Sequence, residues 1–354
     1  MELSYNSPEG TFMSRLNSFD LIKAFACFLV VWGHIIQYSS INDPFDGPVF
    51  RLIYSFHMPL FMIVCGFFSW SSMKLSLGGL LIKKFKQLLL PCVSFGLILY
   101  FLIILYHYAD NGLGTISEFL LFMYRSFWFL KSLFICYLLA WLCNNSRSSF
   151  YVSALVICIF SQFIPIYRIP IMFPCFVAGM FLKRIIDKEW VLKYSPFFLI
   201  LFIVLLPYLT KELSDGSLER YYISNLFSSH NFIKLFLLRF YSILLGISAS
   251  LFIISITRKY LWDIDMRGAL SNYILSIGKE TLGIYLVHLV LVGYFYKTLV
   301  NFDNLEYWIF NMIIAPVISV GVLIICHFII KAINRSRYLS LLLFGTNYVK
   351  HIIN

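Results

Sequence analysis

Two histidines of this 354-residue chain lie inside long apolar stretches, where an ionisable side chain is costly and is a candidate for function. His34 lies near the end of the first apolar stretch and His57 lies near the start of the second. If both stretches are helices joined by a short linker, they pack antiparallel and hold the two imidazoles at one depth. Histidine titrates near neutral pH, so such a pair suits proton transfer. Two separate histidines, each satisfied by a backbone carbonyl or a hydroxyl, are the alternative.

Lys23 precedes His34 by close to three helical turns, so both side chains share one face of the first helix. About 16 Å of helix axis separates them. A polar stripe on this face would line a path through most of the membrane. The alternative is a lysine whose ammonium group simply reaches the membrane interface.

Three further lysines, Lys83, Lys84 and Lys86, precede Pro91 at the start of another apolar stretch. A cluster of this kind can hold phosphate groups by charge. The same cluster is also typical of a cationic anchor on the cytoplasmic side of a membrane helix. The sequence leaves both interpretations open.

Other polar residues within apolar stretches are also candidates. Lys131 follows an aromatic run that contains Trp128, and a lysine within a membrane span needs a partner or a wet cavity. His288 follows Tyr285 by about one helical turn, so the two share a helix face. Arg239 lies within a later apolar stretch.

The apolar stretches themselves predict an all-α, polytopic transmembrane bundle of about ten helices. The chain is 60% hydrophobic and only 13% charged, whereas a soluble domain carries about 25% charged residues. A helix needs roughly 20 apolar residues to cross a bilayer, and only helices or closed barrels satisfy their backbone groups in lipid. The predicted spans are 19–40, 51–72, 88–108, 118–143, 150–166, 169–182, 194–210, 232–257, 280–300 and 306–331.

The positions of the lysines and arginines predict the orientation. Most of them fall on one side of the bundle if both termini are cytoplasmic. We therefore expect a cytoplasmic tail at 1–18, a membrane domain at 19–333 and a second cytoplasmic tail at 334–354. The net charge of +11 fits cationic cytoplasmic loops, and no nucleic-acid partner is expected. The eight cysteines lack metal-site spacing, so we expect free thiols, no disulfide framework and no metal.

Several motifs in order along the chain resemble those of the membrane-bound acyltransferase 3 family. The segment Phe56-His57-Met58-Pro59-Leu60-Phe61 is the most specific match. The other matching segments are Ser18-Phe19-Asp20-Leu21-Ile22-Lys23, Val31-Trp32-Gly33-His34, Lys83-Lys84-Phe85-Lys86, Phe127-Trp128-Phe129-Leu130, Phe173-Pro174-Cys175-Phe176 and Ile284-Tyr285-Leu286-Val287-His288. The resemblance covers essentially the whole chain.

The resemblance implies a ten-helix bundle that moves acyl groups, usually acetyl from acetyl-CoA, to hydroxyls of sugars or cell-envelope glycans. His34 falls at the family's histidine position. Lys23 falls where the family often has arginine, and lysine keeps the charge but loses the bidentate fork. We expect a multi-pass protein of the bacterial inner membrane, in the stand-alone form without a fused extracytoplasmic domain.

These observations combine into one hypothesis with two competitors. His34 is the expected general base, or alternatively a nucleophile that takes the acyl group, and His57 orients it or carries a second proton. Lys23, Lys83, Lys84 and Lys86 are expected to bind the acyl-CoA donor. A transporter or flippase for an envelope precursor is the first competitor, although no internal repeat with interrupted helices is evident. A structural membrane subunit without chemistry is the second.

Overall fold

A computed structural model of the chain describes residues 9–39, 45, 47–111, 116–164, 166–186, 193–209, 229–261, 268–296 and 306–345. All regular secondary structure in these ranges is helical, and several of the helices are long and apolar enough to cross a membrane. The predicted all-α membrane bundle is confirmed. The polar connections around 42 and 220, and the outermost residues of both predicted tails, lie outside the described residues.

The described residues include fourteen α-helices of two turns or more. They are α1 Glu9–Ser39, α2 Pro48–Phe67, α3 Leu77–Lys84, α4 Leu90–Asn111, α5 Ile116–Arg125, α6 Trp128–Asn144, α7 Phe150–Ser161, α8 Ile169–Ile185, α9 Ser195–Leu205, α10 Ser229–Leu261, α11 Ala269–Lys279, α12 Thr281–Val290, α13 Ala315–Asn334 and α14 Arg337–Phe344. Short π-helical segments at Phe85–Leu89, Leu291–Tyr296 and Phe310–Ile314 join or extend some of them. Trp70–Met73 and Tyr307–Ile309 are single turns, and Leu206–Tyr208 is a 3₁₀ turn.

By length and composition, five helices within the described ranges can cross a membrane, or up to seven if each bent pair counts as one span. Two further apolar helical segments, Phe150–Ser161 and Ser195–Tyr208, are shorter. The predicted count of ten spans and the cytoplasmic location of both termini stay predictions. Helix α14 lies within the predicted C-terminal tail and packs on α4, where the Phe95 and Phe344 rings are 5.9 Å apart.

Two of the predicted spans belong to bent helix pairs. The span predicted at 118–143 consists of α5 and α6, bent by 64° at a break where Phe127 has φ 52°. The span predicted at 280–300 is the second half of a pair, because α11 precedes α12 with a bend of 79° at Glu280. Helix α11 contains Ser271, Asn272 and Ser276, so hydropathy alone did not assign it to a span.

Helix α2 lies at the centre of the bundle and packs against α1, α8 and α10. Two glycines bring the α2 and α8 backbones into contact. A Cβ on Gly66 would lie 1.9 Å from the carbonyl oxygen of Phe176, and a Cβ on Gly179 would lie 1.9 Å from that of Ile63. Small residues at such positions are what allow membrane helices to approach closely. The contact fixes how α2 and α8 lie against each other, and thereby places the start of α8 beside the first half of α2.

Candidate active site

A hydrogen-bond network joins α1 to α2 at the level of the predicted histidines. The Nδ1 atom of His34 lies 3.1 Å from Oε1 of Gln37, and the Tyr54 hydroxyl donates to the same oxygen at 3.2 Å. An amide oxygen can only accept hydrogen bonds, so Nδ1 of His34 carries the hydrogen in this arrangement. Neutral His34 therefore presents its Nε2 atom as a base.

His57 enters this network through Tyr54. It is buried, and its Nδ1 atom donates to the carbonyl oxygen of Ile53 at 2.7 Å. Its ring contacts the Tyr54 ring edge-on, with the ring centroids 4.6 Å apart. The two predicted histidines are thus linked by Tyr54 and Gln37. The hydrogen bond from His57 to a backbone carbonyl agrees with the alternative interpretation of the sequence, in which a backbone group satisfies each histidine.

His288 contacts His34 directly. Their ring centroids are 5.2 Å apart, so α12 brings an imidazole against α1. His288 is completely buried, and its Nδ1 atom donates to the carbonyl oxygen of Ile284 at 2.7 Å. Its Nε2 atom has no hydrogen-bond partner among the residues that the structure describes. A buried polar atom left unpaired is uncommon and calls for an explanation, of which a catalytic role is one.

Aromatic rings enclose the two contacting imidazoles. The Tyr38 ring stacks on His34 at 6.0 Å, and the Tyr285 ring lies 5.9 Å from His288 and 5.8 Å from Phe129. We refer to the set His34, Gln37, Tyr54, His57, Tyr285 and His288 as the histidine site. Of the further candidates, Tyr285 and His288 belong to it.

Trp128 and Lys131, at the start of α6, have other partners. The guanidinium carbon of Arg168 lies over the Trp128 ring, 5.5 Å from its centroid. The Nζ atom of Lys131 bonds to the carbonyl oxygens of Met123, of Tyr124 at 3.1 Å and of Ser126 at 2.7 Å. These carbonyls lie in the last turn of α5 and directly after it, where the break removes the amides that would otherwise bond to them. Lys131 therefore caps the interrupted helix.

Lys23 forms an ion pair on α1, toward the opposite end of that helix from His34. Its Nζ atom lies 2.5 Å from Oδ1 of Asp20. The backbone of Asp20 is in contact with α11, since a Cβ on Gly278 would lie 1.9 Å from the Asp20 carbonyl oxygen. The charge of Lys23 is thus balanced on its own helix.

The three lysines around position 85 have different surroundings. Lys84 is buried, and its Nζ atom lies 3.6 Å from the centroid of the Tyr137 ring and 3.4 Å from Oε1 of Gln87. Lys83 and Lys86 are exposed. Lys83 and Lys86 lie one and two positions from Lys84 along the chain, and residues so spaced do not share a helix face. One lysine therefore faces the bundle while two face outward.

Sequence reasoning missed three residues at or beside the histidine site. Gln37 lies one turn after His34 and Tyr54 one turn before His57, so helical spacing from each histidine could have found them. Arg168 lies at the start of α8, near the end of the bundle predicted to be non-cytoplasmic. A cation on that side departs from the positive-inside pattern, and this was the signal for it.

A second group of polar residues, also missed, lies at the break between α11 and α12. Oε2 of Glu280 is 2.8 Å from Nδ1 of His327 on α13, and the Tyr273 ring is 5.1 Å from the His327 ring. The signal in the sequence was an acidic residue at the edge of a predicted apolar span. The pair ties the bent helix to α13.

A sequence model of the acyltransferase domain family matches residues 16–331, a range that includes the entire histidine site. The chain belongs to the acyltransferase 3 family. This confirms the predicted family, and the family supports the predicted enzyme class. The structure contains two bent helix pairs. The sequence had shown no internal repeat with interrupted helices, and this had counted against a transporter. The family match, and not the helix geometry, favours the acyltransferase over the transporter.

Two relatives are similar to parts of this chain. It is 27% identical over 183 residues to the nodulation protein NolL of Sinorhizobium fredii (strain NBRC 101917 / NGR234), which is 49% of this chain and 50% of that protein. It is 42% identical over 83 residues to the nodulation protein NolL of Mesorhizobium japonicum (strain LMG 29417 / CECT 9101 / MAFF 303099), which is 23% of this chain and 20% of that protein. The chain thus spans half or less of the length of these curated relatives. No solved structure matches it.

Proposed function

We propose that this acyltransferase moves an acetyl or other acyl group from acyl-CoA to a hydroxyl of a sugar or cell-envelope glycan, within the bacterial inner membrane. The observation that carries the proposal is the environment of His34. Gln37 accepts a hydrogen bond from the Nδ1 atom of His34, and the rings of Tyr38 and His288 flank the imidazole. Its Nε2 atom is then the free base that removal of a hydroxyl proton requires.

In this mechanism Nε2 of His34 takes the proton from the acceptor hydroxyl as its oxygen forms the new bond to the acyl carbon. The acyl–sulfur bond breaks, and the leaving sulfur takes up a proton in turn. Gln37 accepts from Nδ1 throughout, which keeps the ring oriented and favours the positively charged imidazole that forms. A positioned base contributes about 10²- to 10⁴-fold to the rate of such a step.

His288 is the proposed second proton carrier. Its Nε2 atom is buried without a partner among the described residues, and its ring contacts that of His34. Two positive imidazoles in contact would repel strongly in a low-dielectric interior. We therefore assign one proton to the pair at a time. His57, tied to a backbone carbonyl and packed on Tyr54, holds the Tyr54 hydroxyl against Gln37.

Lys84 supports the donor part of the proposal. Its described partners, the Tyr137 ring and the Gln87 amide, are neutral, so they do not balance the charge of a buried ammonium group. The phosphates of coenzyme A would balance this charge. Lys23 has Asp20 as its partner and needs no second anion. We therefore expect Lys84 to contribute more to donor affinity than Lys23 does.

The test is acyl transfer by purified protein in nanodiscs, combined with mass spectrometry of envelope glycans from cells with and without the gene. Release of coenzyme A that depends on an acceptor, and loss of an acetyl mass from one glycan in the deletion strain, are the expected results. A protein that binds no acyl-CoA and a deletion strain with unchanged glycans would refute the proposal. Recovery of an acetylated His34 peptide would favour the nucleophile over the general base.

A further inference from the structure

A pocket lies between α2, α8 and α10, directly beside the histidine site. Its wall includes Tyr54 and Met58 of α2, Arg168 and Met172 at the start of α8, and Ser242 of α10. Tyr54 belongs to both places, because its hydroxyl bonds to Gln37 while its side chain lines the pocket. A molecule in the pocket is therefore separated from the His34 network by one side chain at most.

Arg168 is held at this pocket by an unusual backbone. Tyr167 and Arg168 have φ values of 48° and 55°, in the left-handed region that residues other than glycine seldom adopt. The amide of Met172 donates to the carbonyl oxygen of Arg168 at 2.9 Å, so this conformation starts α8. Strained backbone of this kind collects at ligand sites. Here it places a guanidinium group between the Trp128 ring and the pocket.

The rest of the wall is mixed in a way that suits a sugar. Met58, Met172 and Leu245 give apolar surfaces for the face of a pyranose ring. The Ser242 hydroxyl donates to the carbonyl oxygen of Leu238 at 3.0 Å, which leaves its lone pairs to accept from a ligand hydroxyl. Arg51 donates to the carbonyl oxygen of Leu209 at 3.1 Å and so fixes the edge of the pocket.

We propose that this pocket binds the acceptor, and that the acceptor is a sugar carrying an anionic group, a carboxylate or a phosphate, which Arg168 binds. Arginine presents a planar set of donors that matches either anion bidentately. A sugar anchored there lies next to Tyr54, whose hydroxyl bonds to Gln37 in the His34 network. This inference rests on the proposed acyl transfer and adds the class of acceptor and its site.

The experiment compares charged with neutral acceptors, using purified protein in nanodiscs of phosphatidylcholine and radiolabelled acetyl-CoA. Phenyl glucuronide and glucose phosphate represent the two anions, and phenyl glucoside and glucose are their neutral counterparts. The wild-type protein is expected to use at least one anionic sugar about 10- to 100-fold better in kcat/KM, which is the size of a charged hydrogen-bond contribution. Which anion is preferred distinguishes an acidic sugar from a sugar phosphate.

Four variants separate the role of Arg168 from general damage. Arg168→Gln should remove the preference for anionic sugars by raising the KM for them. Arg168→Lys should keep part of this preference because the charge remains. Arg125→Gln is the matched control, since Arg125 is an exposed arginine at the end of α5. Ser242→Phe should fill the pocket and lower transfer to every sugar. Binding of acetyl-CoA should be unchanged in all four.

Three outcomes overturn the inference. One is equal use, or equal lack of binding, of charged and neutral sugars by the wild-type protein. Another is a preference that survives Arg168→Gln. The third is Arg168-dependent inhibition by phosphatidylglycerol without discrimination among sugars, which would make the pocket a lipid site. In each of these the proposed function still stands if the protein binds acetyl-CoA and acylates a hydroxyl in a His34-dependent manner, so the two failures are distinguishable.

Discussion

Gln37 determines which nitrogen of His34 is available for chemistry. One amide oxygen receives hydrogen bonds from both the His34 ring and the Tyr54 hydroxyl. The bond from Tyr54 keeps the Gln37 amide from turning, and the amide in turn keeps the His34 ring in place. With only one of the two hydrogen bonds, the amide could rotate. The residue-scale predictions therefore concern His34 and the group that orients it.

His34→Ala should lower acyl transfer by at least about 10²-fold while the protein stays inserted and binds acetyl-CoA normally. A base acts mainly in the transition state, so kcat should fall without a matching loss of donor affinity. Turnover and donor affinity should both be measured on purified protein in nanodiscs. Wild-type turnover by this variant would remove His34 from the chemistry.

Gln37→Leu should lower kcat by about 3- to 10-fold, the cost of losing a hydrogen bond that orients the base. Gln37→Glu should keep most of the activity, because a carboxylate still accepts from Nδ1 and from Tyr54. Tyr54→Phe is the matched control that removes only one of the two bonds. Equal activity of the Leu and Glu variants would show that Gln37 does not orient His34.

At the scale of elements, the two helix breaks determine where the functional side chains lie. The break at Phe127 turns α6 away from α5, and Lys131 satisfies the carbonyls that it exposes. The break at Glu280 turns α12 so that His288 meets His34, and the hydrogen bond between Glu280 and His327 ties the bend to α13.

Lys131→Met should destabilise the protein by about 1–3 kcal/mol, because the carbonyl oxygens of Tyr124 and Ser126 lose the ammonium group that donates to them. Lys131→Arg should lose less stability, since the guanidinium group can still donate to these carbonyls. Thermal unfolding in detergent measures the difference, and activity at low temperature should remain. Full thermal stability combined with lost turnover would instead place Lys131 in the reaction.

Lys84→Ala should weaken acetyl-CoA affinity more than a Lys83→Ala, Lys86→Ala double variant does, because the buried ammonium group has neutral partners. Salt should reduce the effect of the exposed pair and leave that of Lys84 largely unchanged, since screening acts on solvent-exposed charges. Donor affinity at low and high salt tests both statements. Unchanged affinity in all variants would make these lysines membrane anchors only.

The whole molecule is organised around α2, which contacts α1, α8 and α10 and carries residues of both the histidine site and the neighbouring pocket. The Gly66 and Gly179 contact fixes its position against α8. This arrangement places the buried Lys84 and the histidine site in different parts of one bundle. Under the proposed function, the donor would bind near Lys84 and the acceptor in the pocket beside the histidine site.

Reporter fusions near positions 45, 188, 220 and 345 should place 45 and 220 outside the cell and 188 and 345 in the cytoplasm. The physical reason is the excess of lysine and arginine on the predicted cytoplasmic side. The segments around 188 and 220 lie outside the described residues, so the fusions supply what the helices alone do not. Positions 220 and 345 on the same side would contradict the topology.

The sequence by itself determined the membrane bundle and the family, and it marked His34 as a candidate for chemistry. Long apolar runs require helices wherever they occur, because lipid leaves backbone groups no other partner. The family's motifs are short local patterns, so the chain displays them without being folded. The histidines were visible for the same reason, since an ionisable residue within an apolar run needs no neighbour to be noticed.

The tertiary structure alone decided which of these residues meet. It joined His34 to His288, more than two hundred residues later, and linked His57 only through Tyr54 and Gln37. It also showed that Lys131 bonds to carbonyls at a helix end and that Arg168 lines a pocket. Helical periodicity gives the face of a residue on its own helix, but the rotation and crossing of two helices depend on all the side chains packed between them. The sequence therefore indicated that the first two helices are neighbours, but not which side chains touch across the helices.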